Sequence, residues 1–306
     1  MTGRSENIAW PQKKRELYHN HFDSTIWNDF PFRNDDIIIG TYAKSGTTWL
    51  QQIISQLIFK GSEGIMVPEI SPWLDMTLPP KEAKLAELEA QTHRRFVKTH
   101  LPVDALEYSP KAKYVYIARD GRDVLWSLYN HHSKMTPEFL GILNEMRPEG
   151  TDEFLAPTLE IRDYYLRWLE GDGEPYWSFW ENIASWWAIR GLPNMLLLHY
   201  GALKDDMPGE IKRIAEFLEI DIEDATWEQI LEHCSFDYMK KNAEHSVPLG
   251  GAPWEGGAKT FINKGTNGRW RDILTDEDIQ RYEQLAIDRL GPECAQWLAT
   301  GKVPAA

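Results

Sequence analysis

The sequence predicts an α/β fold: a single domain built on a central, mostly parallel sheet flanked by helices, with a P-loop-like strand–loop–helix that holds phosphate. Three observations predict it. Short apolar runs alternate with helical patterns along the chain, and the runs are continuous rather than polar on every second residue. The first run also leads directly into a loop of small and hydroxyl residues. Strands buried on both faces read as unbroken apolar runs, and their alternation with helices marks a parallel sheet covered on both sides.

The elements follow in order. Asp35 to Tyr42 (DDIIIGTY) reads as the first buried strand. Trp49, Leu50, Ile53, Ile54, Leu57 and Ile58 then fall on one stripe at helical spacing, which predicts a helix from Ser45 or Gly46 to about Gly61. Arg95–Thr99 and Tyr114–Ala118 are the next strands, the second followed by a helix DGRDVLWSLYNHH; Met195–His199 is the fourth. Helices are expected over Gly209–Leu218 and, after a capping Thr275, over Asp276–Leu290. Two stretches break the alternation, and irregular insertions are expected at about 135–180 and 242–260, covering an acceptor site within one domain of residues 1–306. The first holds Trp168, Trp177, Trp180, Tyr164, Tyr165 and Tyr176, and the tryptophans continue to Trp186 and Trp187. The second, Asn242 to Lys259, reads as a structureless loop, a feature more often functional than incidental.

Composition bounds the function. The 306 residues, 42% hydrophobic and 26% charged, suit a globular chain with a substantial core. With 33 basic against 47 acidic residues the formal charge is −14, which disfavours nucleic acid and anionic membranes as partners. No apolar run is long enough to span a bilayer, and the first twenty residues lack the apolar core of a secretory signal. The two cysteines, Cys234 and Cys294, form neither a disulfide framework nor a metal site, so a reducing cytoplasm is the expected compartment. The histidines His19, His21, His131 and His132 lack partners at ligand spacing and are expected at the surface; no metal site is expected.

The loop GTYAKSGTTW at 40–49 is built for an anion. A helix start leaves backbone N–H groups unpaired and carries partial positive charge. Ser45 and Gly46 let an anion approach the backbone, Thr47 and Thr48 add hydroxyls, and Lys44 adds a full charge. A nucleotide-hydrolase loop, G-x-x-x-x-G-K-[ST], places its lysine after the last glycine and uses the following hydroxyl for magnesium. Here the lysine precedes Ser45-Gly46, so it stands where a metal would otherwise bring charge. A second anion site is suggested by Arg119 at the end of the third strand, Ser127 on the following helix, and Lys264-Gly265 near the C-terminus. Two anion sites on one sheet edge suggest a nucleotide phosphorylated at two positions of its ribose.

With these motifs in place, the chain resembles the cytosolic-type sulfotransferases, which use 3′-phosphoadenosine 5′-phosphosulfate (PAPS) and release PAP. TYAKSGTTW at 41–49 is similar to that family's phosphosulfate loop, with Ala43 where the family has proline. YIARDGRDVLWS at 116–127 resembles its 3′-phosphate motif, and VKTHLP at 97–102 the segment of its catalytic histidine. ENIASWWAIRGLPNMLLLHYGALK at 181–204, CSFDYMKKN at 234–242 and FINKGTNGRW at 261–270 continue the series in order. The resemblance implies that Lys44, Ser45, Gly46, Thr47 and Thr48 contact the 5′-phosphosulfate. It implies that Trp49, Tyr200 and Phe236 frame the adenine, and that Arg119, Ser127, Lys264 and Gly265 hold the 3′-phosphate.

Asn263 stands where the family has arginine, so one charge is missing there; Arg269 and Arg122 are the candidates to compensate. The family's dimerisation pattern matches poorly at Arg271 to Gln280.

The implied chemistry is metal-independent transfer of a sulfuryl group to the hydroxyl of a small, apolar or aromatic acceptor. His100 is the general base, Lys44 and Lys98 stabilise charge, and Ser127 restrains Lys44 until an acceptor arrives. Trp186 and Trp187 are expected in the core, and Trp177, Tyr176 and Phe179 along the acceptor pocket. The alternatives are a nucleotide kinase or NTPase, which shares the sheet and loop, and a nucleotide-binding homologue without transfer activity.

Overall fold

The computed structural model describes residues 10–303 apart from 20, 148, 151–152 and 174–176. Tyr176 therefore lies outside the described residues. Two short strands, β1 (Tyr18–His19) and β2 (Phe22–Asp23), pair antiparallel near the N-terminus. The main sheet has four strands: β3 (Ile37–Thr41), β4 (Phe96–Thr99), β5 (Lys113–Ala118) and β6 (Met195–His199). All pair in parallel, in the order β4-β3-β5-β6. The chain thus leaves β3 to one side for β4 and returns on the other side as β5. Ligands in such sheets settle beyond the carboxyl ends of strands where this reversal opens a crevice.

Side chains alternate between the two faces of each strand, and each face finds its own helical layer. Ile37 and Ile39 pack with Val115 and Ile117 under helix Thr47–Ile58, whose Leu50, Ile53, Ile54 and Leu57 form the predicted stripe, and beside helix Met207–Leu218. On the other face Ile38, Tyr114 and Tyr116 meet helices Gly121–His132 and Phe179–Ala188. Trp186 and Trp187 are buried here, as expected. Helix Asp276–Leu290 starts at Thr275 with a complete capping box to Asp278. Among the described residues no helix is long and apolar enough to cross a membrane.

The two stretches read as irregular are more ordered than expected. The first contains helices Pro137–Glu145 and Ile161–Glu170. Tyr165, Trp168 and Leu169 sit at helical spacing and bury one face of the latter, a stripe obscured in the sequence by flanking aromatics. Asn242 to Lys259 is not structureless. Short turns at Ala243–Ser246, Pro248–Gly251 and Ala258–Phe261 fold it into a compact strap. Ala243, Val247 and Trp254 of the strap share a small core with Met135, Leu143 and Phe154 of the other insertion.

Gly40 shows how closely the layers approach. Its backbone runs under the indole of Trp186, and a Cβ there would lie 2.6 Å from Trp186 Cζ2. The indole cannot retreat: it stacks on Tyr116 with centroids 5.0 Å apart, and its Nε1 donates to Leu101 O at 3.0 Å. Gly40→Ala is expected to cost about 1–3 kcal/mol through overpacking, read as a lower urea midpoint with an unchanged m value.

Candidate functional site

One cavity of about 970 Å³ opens beyond the carboxyl ends of β3, β4 and β5. Its basic lining residues are Lys44, Lys98, Arg119, Lys204, Lys264 and Arg269, against the single carboxylate of Asp123 among the described residues. In a chain of formal charge −14 this is a strong local reversal of sign.

The anion loop forms one wall. Lys44 sits at φ 64° and Gly46 at φ 111°. Gly46 occupies the N-cap of helix Thr47–Ile58, and among the described residues no side chain caps that end. Its left-handed backbone favours glycine, and a Cβ would lie 2.8 Å from the Tyr200 ring. Gly46, Thr47, Thr48 and Trp49 line the cavity. Ser45 instead is buried with its hydroxyl unpartnered among the described residues, and its N–H binds Tyr42 O at 3.3 Å.

Beyond the loop, Trp49 and Tyr200 meet edge to face at 5.6 Å, with Trp49 Nε1 donating to Cys234 O at 2.8 Å. Half-exposed Phe236 completes an aromatic slot, and a Cβ on Gly265 would lie 2.8 Å from its ring. Arg119 is held flat over Tyr200, 4.4 Å from its centroid, by Asn267 Oδ1 at 2.7 Å and Thr266 O at 3.1 Å. Ser127, Asn263, Lys264 and Gly265 line the same end, so the sequence-predicted binding residues other than Ser45 share this cavity. Arg269 lines it too, stacked toward Trp126. Arg122 does not: its guanidinium is buried against Asp120 at 2.7 Å and Glu283 at 3.1 Å, sandwiched by Trp270 and Tyr282. It cannot compensate for Asn263.

His100 follows β4 directly and marks the junction with the apolar half of the cavity. Its Nδ1 is 3.0 Å from Thr41 O and 2.8 Å from Thr41 Oγ1. A carbonyl only accepts, so Nδ1 carries the proton and Nε2 keeps its lone pair. Thr41 Oγ1 also lies 2.8 Å from Thr47 Oγ1, linking the imidazole to the anion loop. The backbone at His100 is pinned by Asn182 Nδ2, which donates to its carbonyl at 2.9 Å, while Asn182 Oδ1 accepts from Tyr116 OH at 2.7 Å. The Trp-rich helix therefore sets the position of the imidazole.

Electrostatics in this site are shaped by burial and by cations near one another. Lys44 is lowered to about 7 by burial, then by Lys98 and Arg119. Lys98 is lowered to about 8 by burial, partly offset by Asp75. His100 is pushed down to about 3 by burial and by Lys98 and Lys44, against the Thr41 hydrogen bond, which raises it. The imidazole is neutral at ordinary pH, and both lysines sit near the point of losing their protons.

The apolar half is lined by Trp73, Met76, Leu78, Phe139, Phe154 and Trp254. Phe179 is not part of it; it is buried in the core against Tyr42. Trp177 packs behind His100, rings 6.1 Å apart, and does not line the cavity.

The surface placement expected for three histidines is also overturned. His21 and His132 are buried, and His21 and His131 line the cavity. A ring of aromatic contacts runs from His100 through Trp73, His21, Phe154 and His132 to His131, with successive centroids 4.7, 5.3, 6.0, 4.9 and 5.4 Å apart. His131 reaches Lys44, Nδ1 to Nζ 3.2 Å, whereas Ser127 makes no such bond. The sequence held one signal for His131: it follows Ser127 by four residues, on the same helix face.

Comparison with known proteins identifies the family. Residues 34–291 match the sulfotransferase domain. A glycolipid sulfotransferase of Mycobacterium bovis is 29% identical over 97% of this chain and 98% of its own length. Sulfotransferase 1B1 of Mus musculus is 31% identical over 84% of this chain and 83% of its own. Among solved structures, retinol dehydratase in complex with androsterone and PAP matches with a TM-score of 0.65 and 26% identity, over 87% of this chain and 83% of that one. Mouse sulfotransferase SULT7A1 complexed with PAP shares the fold, with a TM-score of 0.70 over 90% of this chain and 91% of that one, at 24% identity. With the match extending from just before β3 to the end of helix Asp276–Leu290, the chain belongs to the sulfotransferase family and is an enzyme of that class.

Proposed function

We propose that this sulfotransferase uses PAPS as donor, releases PAP, and sulfates the hydroxyl of a small apolar or aromatic acceptor without a metal. One observation carries the reading: a basic, glycine-cradled pocket and an apolar chamber form one cavity with a neutral imidazole at their junction. The residues fit such a donor. The helix start, which no side chain caps among the described residues, leaves backbone donors for an anion. A Cβ at Gly46 or Gly265 would intrude on the slot formed with Tyr200 and Phe236.

When bound, PAPS supplies the sulfuryl group on a phosphate leaving group. The chain does the rest. Lys44, Thr47 and Thr48, with the amides around Ser45 and Gly46, hold the phosphosulfate and offset charge on the departing oxygen. Trp49, Tyr200 and Phe236 frame the adenine, while Arg119, Ser127, Asn263, Lys264 and Gly265 hold the 3′-phosphate. Arg269 supplies the charge missing at Asn263. His100 Nε2 takes the acceptor proton, with Thr41 fixing the tautomer that makes this possible. Lys98 adds positive charge beside it. The insertions around Phe139–Phe154 and Pro248–Ile262 enclose the acceptor, and their apolar lining favours a hydrophobic alcohol. Relatives named for glycolipids, and a neighbour holding androsterone, support an acceptor with a large apolar body.

Three outcomes are expected. His100→Ala should lower kcat about 10²–10⁴-fold while calorimetric PAP affinity stays within about twofold of wild type. Turnover at the wild-type rate in that variant removes His100 from the mechanism. For wild type, kcat/KM for PAPS should be flat on the acid side down to about pH 5, because His100 is already neutral there. Above about 7 it should fall by up to tenfold per unit, because the empty-site Lys44 loses the proton that anion binding requires. An acid limb centred near 6.5 instead would point to an unperturbed histidine. Finally, in an Arg269→Ala background, Asn263→Arg should tighten PAP binding about three- to tenfold in low salt, with the gain shrinking at high salt; unchanged affinity there would place the 3′-phosphate elsewhere.

A further inference from the structure

The ammonium of Lys44 has two neighbours that the anion loop does not provide. His131 Nδ1 lies 3.2 Å away, and the Phe261 ring lies beneath it at 4.0 Å from the centroid. His131 comes from the last turn of helix Gly121–His132, and Phe261 from the end of the strap. Packing fixes the imidazole: Trp254, Phe261 and His132 surround it at 4.9, 5.4 and 5.4 Å.

The other charged and titratable groups facing this point are Lys98 in β4 and His100 just after it, Arg119 following β5, Asp123 and His132 on the same helix, and His21 beside β2. Asp123 forms no ion pair with Lys44 among the described residues; one of its oxygens accepts from Gly268 N at 2.7 Å. A buried ammonium beside two other cations needs a hydrogen-bond acceptor. His131 is held neutral by burial and then by Lys44, so its Nδ1 lone pair is free to be that acceptor.

We propose that His131 is a positioning residue for sulfuryl transfer, whose Nδ1 accepts from Lys44 and keeps it protonated at the mouth of the anion loop, both before the donor binds and while the other N–H groups of Lys44 hold its phosphosulfate. The role that family resemblance assigned to Ser127 thus falls to a residue one helical turn later. This rests on the reading of Lys44 as a ligand of the phosphosulfate.

The test is calorimetric titration of the full chain with PAP between pH 5.5 and 9. Wild type should lose affinity above a midpoint near 7, where empty-site Lys44 deprotonates. His131→Leu removes the acceptor and should move that midpoint to more acid pH. PAP affinity should then be about tenfold weaker at pH 7.5 but within about twofold at pH 5.5, since a hydrogen bond to a charged group is worth roughly that factor or more. His131→Asn, which keeps an acceptor near the Nδ1 position, should restore the midpoint. In a Lys44→Met background His131→Leu should have no further pH-dependent effect.

A wild-type midpoint in His131→Leu, or an equal loss in the Lys44→Met background, overturns the role. Should His131→Leu not fold, His131→Asn and His131→Gln decide, because the longer side chain displaces the acceptor; identical midpoints overturn the proposal. Absence of any PAP binding by wild type would instead sink the donor-site reading itself.

Discussion

The feature on which the rest depends is positive charge gathered where water is scarce. Lys44, Lys98 and Arg119 converge beyond the ends of three strands, and the one lining carboxylate among the described residues, Asp123, is already engaged by the Gly268 amide. Burying cations with little counter-charge is costly, and the protein answers by lowering the affinity of both lysines for protons. An anion entering this space is met by charge that is already desolvated and already aimed. Such preorganisation strengthens with the exclusion of water, which is why the chamber is roofed rather than open.

The scaffold makes the convergence possible. β3 is flanked on both sides by parallel neighbours, so the residues that follow each strand emerge together at one edge. Thr41 ends β3 while His100 and Arg119 directly follow β4 and β5, and a short hydroxyl chain joins Thr41 to Thr47. On the covered face, the close approach of Trp186 to Gly40, with the Asn182 link to His100, turns the packing of a core helix into the placement of an imidazole.

Much of this architecture is legible in the amino-acid order alone. The isoleucine run of β3, the stripe of the helix after it and the Thr275 cap are local signals, and local signals survive in a single sequence. The anion loop is legible for the same reason: lysine, small residues and hydroxyls lie within six consecutive positions. Relations across distance are not. His21, His131 and His132 look like isolated polar residues until the β1–β2 hairpin and the strap fold over them. Arg122 looks available as a cation until Asp120, two residues earlier, is seen to hold it. The strap reads as a loop because its turns are too short for periodicity to register, and its stability comes from a core it shares with a segment a hundred residues away.

That shared core ties the roof of the chamber together. Thr136 N donates to Pro253 O at 2.9 Å and Glu255 N to Lys134 O at 2.8 Å, while Met135 forms a bridge with Trp254. The two insertions are stitched into one lid, so neither can be trimmed, lengthened or exchanged without disturbing the backbone seam of the other. Transplanting a new acceptor preference onto this scaffold would mean moving both segments as a matched pair, and drift in one during evolution would be constrained by its fit to the other.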